Sequence, residues 1–531
     1  MPRRRVALVL LACTLVAATG VRVAAGADKR GLTHDEAISY LAAACHQGDY
    51  ARLTLEGRRP VGRWVPASEW KVFLTPERAL CLGTIARDLA REDIHPPLYF
   101  WLLHGWGLVF GVGLWTGVSL NIGLAALTTI ALFGLARRVL GDRLRAAGVA
   151  FVWSFSPAAI RVFAEARQYE LLALLATLFV WQCVRVADPA TRPRARDLLA
   201  LAAITAAGAL SQFLFGMVAV AGLALVLVRR WRGRRGVAAG ALAAVAAGYG
   251  AFALLHPGFT DALARGRAQA TEPSLDRLHG RVELVARTLA EFVLPPGAAQ
   301  GSLALLGTAL VVAATALALA PGQPRRGEKD ARPGDGRAMV LVFVWLTAAN
   351  AALFLAFVSP SSAMDFKHVS TLWPFAAFVP VLAVRWVPRR ARTPVAIAGA
   401  AALAAAGSVA ALGQGPGAGP APALERARGV VLDNVARGVL LRVVWRVPDA
   451  ARVFAAQQHR LLDRPDAWLP ELEPGDVFVG GLPASDPRYG NSPLLARRVA
   501  AELRRRHRVV PVPDPLERGH VFRVGAAVYR P

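Results

Sequence analysis

Acidic residues are scarce in this chain and lysine is almost missing. Its 531 residues include 36 Asp and Glu against 62 Lys and Arg, a formal charge of +26, and the only lysines are Lys29, Lys71, Lys329 and Lys367. Charged residues of both signs make up 18%, below the roughly 25% of a soluble domain. Hydrophobic residues reach 55% and mean hydropathy is +0.40. These deficits exclude an ordinary soluble domain and a disordered chain. They imply a polytopic membrane protein with some mass outside the bilayer. The basic excess would suggest nucleic-acid binding in a soluble protein. Here it sits in short arginine runs between apolar segments, as the positive-inside rule requires, so no nucleic-acid partner is expected.

Cysteine is also rare. Cys13 and Cys183 lie inside apolar segments and read as small fillers. Cys45 and Cys81 share one long polar loop and can pair if that loop faces an oxidising compartment. Cys-x-x-Cys, a His/Cys cluster in sequence and an Asp-x-Asp are all absent, so the sequence names no metal ligands. Asn491-Ser492-Pro493 does not make a glycosylation sequon.

Against these absences stand long apolar runs. A span needs about 20 apolar residues, and such stretches occur near 6–25, 114–136, 146–164, 169–187, 198–212, 213–229, 236–256, 301–320, 338–358, 369–387 and 394–413. The first reads as a retained helix rather than a cleaved signal peptide. Arginine-rich connections at 137–145, 188–197, 229–235, 321–337 and 385–393 belong on the inner side. That parity requires 198–229 to cross twice and requires 96–113 to lie at the outer surface without crossing. The reading gives eleven spans, with the N-terminus inside. The segments 26–113, 257–300 and 414–531 then lie outside the cytoplasmic membrane. The chain divides into a membrane-embedded part, 1–413, and a C-terminal part, 414–531, after the linker GQGPGAGPAPA. The latter combines helical patterns (424–446, 491–507) with strand-like pieces (475–481, 508–512, 520–530) and reads as a small α/β domain.

Ionisable groups next to a membrane are costly and therefore mark function. Three clusters stand out, all at the expected outer face. Asp35-Glu36 follows the first span; such a pair suits a general base, although Thr33 or Asp35 can equally cap a helix. His95-Pro96-Pro97-Leu98-Tyr99 opens an aromatic-rich apolar run, with proline in the first turn of a helix. The run from Ser156-Pro157 to Glu170 carries Arg161, Glu165, Arg167 and Tyr169. Arg161 and Glu165, four apart, are expected to pair on one helical face. Arg167 is placed to hold a phosphate.

The order Asp-Glu, then HPPLYFWLLHGWGLVFG, then SPAAIRVFAEARQYELLALLATL resembles glycosyltransferase family 39, the protein-mannosyltransferase-like branch of the GT-C superfamily, and the related lipid A aminoarabinose transferases. The resemblance is good over residues 30–190 and continues in topology to about 413. It departs in WTGVSLNIGL, which lacks the family's charge early in helix two, and in Lys367-His368, which stands where an Arg-Tyr is usual. What the resemblance implies is a GT-C-like helical membrane fold and transfer of a sugar from a polyprenyl-phosphate donor to an acceptor hydroxyl of a glycan, lipid or protein, with inversion, at the outer face. On that basis Asp35 is expected to be the base, with Glu36 second. His95, Arg167, Tyr169, Lys367 and His368 are expected to contact the donor head group. No cofactor is required; a divalent metal is compatible but not needed. Alternative readings are a transporter or flippase and a non-catalytic envelope scaffold. Charges gathered at one face rather than at mid-depth favour the enzyme.

Overall fold

The computed structural model describes residues 2–231, 233–268, 275–321, 334–357, 367–413, 421–482, 487–512 and 520–527. Among them, seven helices are long and apolar enough to cross a membrane: Arg4–Ala27, Leu114–Leu140, Tyr169–Ala187, Arg235–Leu255, Gly301–Leu319, Gly336–Leu355 and Arg389–Leu412. An eighth candidate is the pair Arg143–Phe155 and Pro157–Ala164, bent by 53°. The sequence leads to an expectation of eleven spans, and each expected stretch does fall on helix. The shortfall has local causes. The stretch 198–229 becomes Ala195–Ser211 and Phe215–Arg230, of 17 and 16 residues, broken at 212–214. The stretch 369–387 is divided into short pieces, with Pro374 and Pro380 inside them. The run 96–113 forms Leu98–Phe110, 13 residues, about 20 Å at 1.5 Å per residue and too short to cross.

Local chemistry fixes the joints. Gly141 ends one helix in the left-handed region, at φ 67°, and Asp142 caps the next by accepting from the N–H groups of Leu144 and Arg145. The result is a two-residue turn between Leu114–Leu140 and Arg143–Phe155. Pro157 forces the bend that follows Ser156. Helix Tyr169–Ala187, largely apolar between Leu171 and Trp181, sits at the centre of the bundle, with 83% of its span buried. Arg389–Leu412 is only 17% buried. It keeps its apolar surface outward, as a lipid-facing helix does.

The first long loop folds into helices His34–Ala43, Gln47–Glu56 and Leu82–Glu92. Cys45 and Cys81 are paired, their Cα atoms 6.3 Å apart, within the range a disulfide allows. The bond joins the end of His34–Ala43 to the start of Leu82–Glu92.

One six-stranded sheet completes the molecule: β1 (Trp64–Pro66), β2 (Gly429–Leu432), β3 (Arg452–Ala455), β4 (Val477–Gly480), β5 (His507–Pro511) and β6 (His520–Ala527), in the order β1-β3-β2-β4-β6-β5. The central β3, β2 and β4 are parallel, and the outer pairings are antiparallel. The edge strand β1 comes from the first loop, so the sheet stitches that loop to the C-terminal segment. The helix expected over 424–446 is instead β2 followed by helix Arg437–Arg446. The β-branched Val430 and Val431 favour a fully buried parallel strand there. The linker at 414–420 lies outside the described residues.

Candidate active site

The loop helix His34–Ala43 opens with a capping box: Thr33 accepts from the Glu36 N–H, and the Glu36 carboxylate accepts from the Thr33 N–H at 2.9 Å. Adjacent residues on a helix point about 100° apart, and the two carboxylates separate accordingly. Glu36 turns inward and is fully buried. It pairs with Lys29 and accepts from the Ala166 N–H at 3.0 Å. Lys29 in turn donates to the Ala164 carbonyl at 2.9 Å. Glu36 thus ties the loop helix to the 164–166 turn.

Asp35 points the other way, with 32% of its side chain exposed. Lys367 Nζ stands 3.3 Å from Asp35 Oδ2 and 2.8 Å from Glu165 Oε2. Arg167 Nε lies 3.9 Å from the same Asp35 oxygen, and Arg167 Nη1 donates to Ser39 Oγ at 3.4 Å. Burial works against the Asp35 charge. Arg167, then Lys367, His34 and His95, outweigh it and hold this carboxyl well below the usual carboxylate range. Glu165 moves the opposite way: burial raises it, and the attraction of Lys367 does not fully compensate. Half-buried His34 is pushed down to about 4, chiefly by desolvation.

The 163–167 turn that presents Glu165 and Arg167 is held from behind. Asn121 Nδ2 donates to the Phe163 carbonyl at 3.1 Å and to the Glu165 carbonyl at 2.5 Å, and Asn121 Oδ1 accepts from the Tyr99 hydroxyl at 3.1 Å. Gly117 admits this turn, because a Cβ there would stand 2.2 Å from Ala166 Cβ. The segment WTGVSLNIGL, without a charge, therefore contributes an amide and a close approach.

His95 is engaged at both ring nitrogens: Nδ1 with Asp93 Oδ1 at 2.6 Å, and Nε2 with Arg167 Nη2 at 3.0 Å. Tyr169 meets His368 edge-on, with ring centroids 5.5 Å apart. The expected residues Asp35, His95, Arg167, Tyr169, Lys367 and His368 thus lie along one connected cluster, and Glu36 forms its buried back wall. The expected Arg161–Glu165 pair does not organise the turn. Arg161 Nη1 reaches Glu291 at 3.4 Å, while Glu165 turns to Lys367. The helix stops short of Glu165, whose backbone is extended, so the four-residue spacing no longer sets a shared face.

Asp93, whose Oδ1 faces His95 Nδ1, and Arg437, whose Nη2 lies 3.3 Å from Asp93 Oδ2, carry no motif in the sequence, and Glu165 stands out there only as a partner for Arg161. For metal binding, Cys45, Cys81 and His104 come together, but both sulfurs are spent in the disulfide. Between Asp35 and Glu165, Lys367 already supplies the positive charge.

Residues 94–256 match the family described as dolichyl-phosphate-mannose-protein mannosyltransferase. No curated protein matches the chain in sequence. Among solved structures, the fold is similar to ArnT from Cupriavidus metallidurans in its apo state (14% identity, 98% of each chain covered, TM-score 0.54) and bound to undecaprenyl phosphate (14%, 97% of each, 0.53). It is also similar to the arabinofuranosyltransferase AftD from Mycobacteria (16%, 98% of this chain and 40% of that one, TM-score 0.51). Residues 94–256 thus match the protein-mannosyltransferase family, and the fold of nearly the whole chain is similar to that of ArnT.

Proposed function

We propose that this protein transfers a sugar from a polyprenyl-phosphate carrier to an acceptor hydroxyl at the outer face of the cytoplasmic membrane. The observation that carries the reading is the arrangement of Asp35, Arg167 and Lys367: a part-exposed carboxylate faced by two cations beside the bundle. The ArnT relative holds undecaprenyl phosphate, and Arg167 and Lys367 are the groups that suit such a head group here. Tyr169 and His368 border the same place and pack against the sugar or the lipid.

In the resting protein, both cations neutralise Asp35, which makes it a weak base. A donor phosphate competes for Arg167 and Lys367. As they turn to it, Asp35 is released and its basicity rises. Asp35 then takes the proton of the acceptor hydroxyl as the acceptor oxygen bonds to the anomeric carbon. The bond from that carbon to the phosphate oxygen breaks on the opposite side, and the configuration inverts. The leaving polyprenyl phosphate keeps the electron pair, and the two cations stabilise it. The phosphate is already a good leaving group, so neither a general acid nor a metal is needed.

The test is transfer of labelled sugar from a polyprenyl-phosphate donor by the purified full chain in lipid nanodiscs, with envelope glycans and glycoproteins compared by mass spectrometry in cells with and without the protein. Transfer that disappears in Asp35→Asn is expected. A protein that moves the intact lipid-linked donor across the bilayer without breaking the sugar–phosphate bond would make it a flippase instead.

A further inference from the structure

The C-terminal segment reaches the site through Arg437. Helix Arg437–Arg446 lies along His34–Ala43. Gly438 allows that contact, since a Cβ there would meet the His34 ring at 2.4 Å, and Trp445 faces Tyr40 with centroids 6.1 Å apart. At the start of the same helix Arg437 Nη2 comes within 3.3 Å of Asp93 Oδ2, and the Asp93 side chain is only 6% exposed. The other Asp93 oxygen accepts from the Ile94 N–H at 2.7 Å and faces His95 Nδ1 at 2.6 Å. A guanidinium can only donate. His95 Nε2, 3.0 Å from Arg167 Nη2, must therefore accept, and the ring proton must sit on Nδ1, donated to Asp93. The contacts run without a gap: Arg437, Asp93, His95, Arg167, Asp35.

We propose that Arg437 is a positioning residue: by holding Asp93 it fixes the Nδ1–H tautomer of His95 and, through it, the place of Arg167 at the donor phosphate. The proposal rests on the donor reading above. Its physical basis is the charge count on a buried carboxylate. With Arg437 in place, the charge of Asp93 is compensated; burial would raise this carboxyl, but Arg437 first and His95 next hold it well below the usual range. Without Arg437, the partners left on the Asp93 oxygens besides His95 are neutral, the Gln47 amide at 3.4 Å and the Ile94 N–H at 2.7 Å, so its charge, offset only by the more distant Arg167, favours a second proton on the His95 ring. Nε2 then becomes a donor facing the donors of Arg167, and the two must part. The C-terminal segment, more than 250 residues beyond Arg167 in the chain, thereby sets the grip on the lipid phosphate.

The experiment uses the full chain in nanodiscs with 15N-labelled histidine, and His95→Asn identifies the His95 signals. The wild type is expected to show the Nδ1–H tautomer. Arg437→Gln, which keeps much of the stem, should replace that signature with one protonated at both nitrogens, and Arg437→Lys should restore it. An unchanged signature in Arg437→Gln overturns the proposal. The second readout is affinity for undecaprenyl phosphate. Arg437→Gln should weaken it by about tenfold, a coupling of ordinary size between sites, and add nothing in a His95→Asn background. Independent, additive losses overturn the relay. A wild type that binds no undecaprenyl phosphate counts against the donor reading alone, because the histidine signals still decide the positioning role.

Discussion

Two aspartates, one part-exposed beside the bundle and one buried next to the sheet, show how this molecule decides where negative charge is kept. Asp35 sits among Arg167, Lys367, His34 and His95, which hold its carboxyl low despite burial. Asp433, at the carboxyl end of β2, is 1% exposed and meets neutral donors: the Gly481 N–H at 3.0 Å and the Gln458 amide at 3.1 Å. Burial dominates there, and Asp433 is pushed up to about 6. Exposure separates them in part, since Asp35 keeps 32% of its side chain open, but the larger difference is that Arg167 and Lys367 face Asp35 whereas the donors to Asp433 are neutral. Cations beside a carboxylate keep it charged, and a buried setting of neutral donors favours its protonated form.

The comparison breaks first at Asp35. Asp35→Asn keeps the shape and removes the base, and general-base catalysis is typically worth about 10² to 10⁴ in rate. Sugar transfer should fall by that order while undecaprenyl phosphate still binds. Turnover near that of the wild type would remove Asp35 from the proton transfer and direct attention to Glu165, the other carboxylate on Lys367.

Glu36 sharpens the contrast from the next position. Glu36→Gln leaves the ammonium of Lys29 buried without a counter-charge, and breaking a buried pair costs about 3–5 kcal/mol. The expected result is a lower unfolding midpoint, with catalytic turnover per folded molecule little changed. A stable but inactive Glu36→Gln protein would show that Glu36, not Asp35, takes the proton.

The sequence discloses the Asp35 side of this comparison better than the Asp433 side, for physical reasons. Charges beside apolar runs are conspicuous because membranes exclude them, so Asp35, His95, Arg167 and Lys367 can be picked out one by one. Which carboxylate faces the cations depends on the 100° turn between Asp35 and Glu36 and on the capping box that fixes it, and spacing alone does not say which face is open. The helix stop before Glu165 hides its pairing with Lys367, since the apparent four-residue partner Arg161 is at hand. Arg437 lies in a segment with ordinary soluble patterning, and its role arises only from packing against His34–Ala43. In the sheet, β4, β5 and β6 are legible as alternating or apolar pieces bounded by turn residues. The buried β2 reads as helix, because a short, wholly apolar run has no period of its own. The strand β1 comes from a loop more than 350 residues earlier in the chain, and no local signal could assign it to this sheet.

The disulfide tests how firmly the Asp35 side is held. It closes a 36-residue separation, which the chain-entropy relation values at about 4 kcal/mol. It joins the end of the Asp35 helix to the start of the helix that leads to Asp93 and His95. Replacing both Cys45 and Cys81 by Ala should lower the unfolding midpoint and weaken undecaprenyl phosphate binding together. Reduced stability with unchanged binding would show that the two arms keep their register without the bond.

The smallest expected effect concerns Asp433, and its sign is opposite. With an ordinary value of 3.8 and a folded value of about 6, the folded protein prefers Asp433 protonated. Below about pH 4 the group is protonated in both states and carries no penalty. As pH rises, the unfolded chain releases its proton first, and stability is lost until the folded group also ionises above about pH 6. The cost then levels off at about 3 kcal/mol, because a tenfold difference in acidity between the folded and unfolded group corresponds to about 1.36 kcal/mol. Asp433→Asn keeps an acceptor for the Gly481 N–H and never ionises. Unfolding midpoints measured from pH 4 to pH 8 should therefore coincide for the two proteins at the acid end. The variant should be the more stable one at neutral pH, by up to that amount. A gap that stays constant across the range would mean that Asp433 keeps an ordinary acidity inside the sheet, and that a positive group or water serves it as Arg167 and Lys367 serve Asp35.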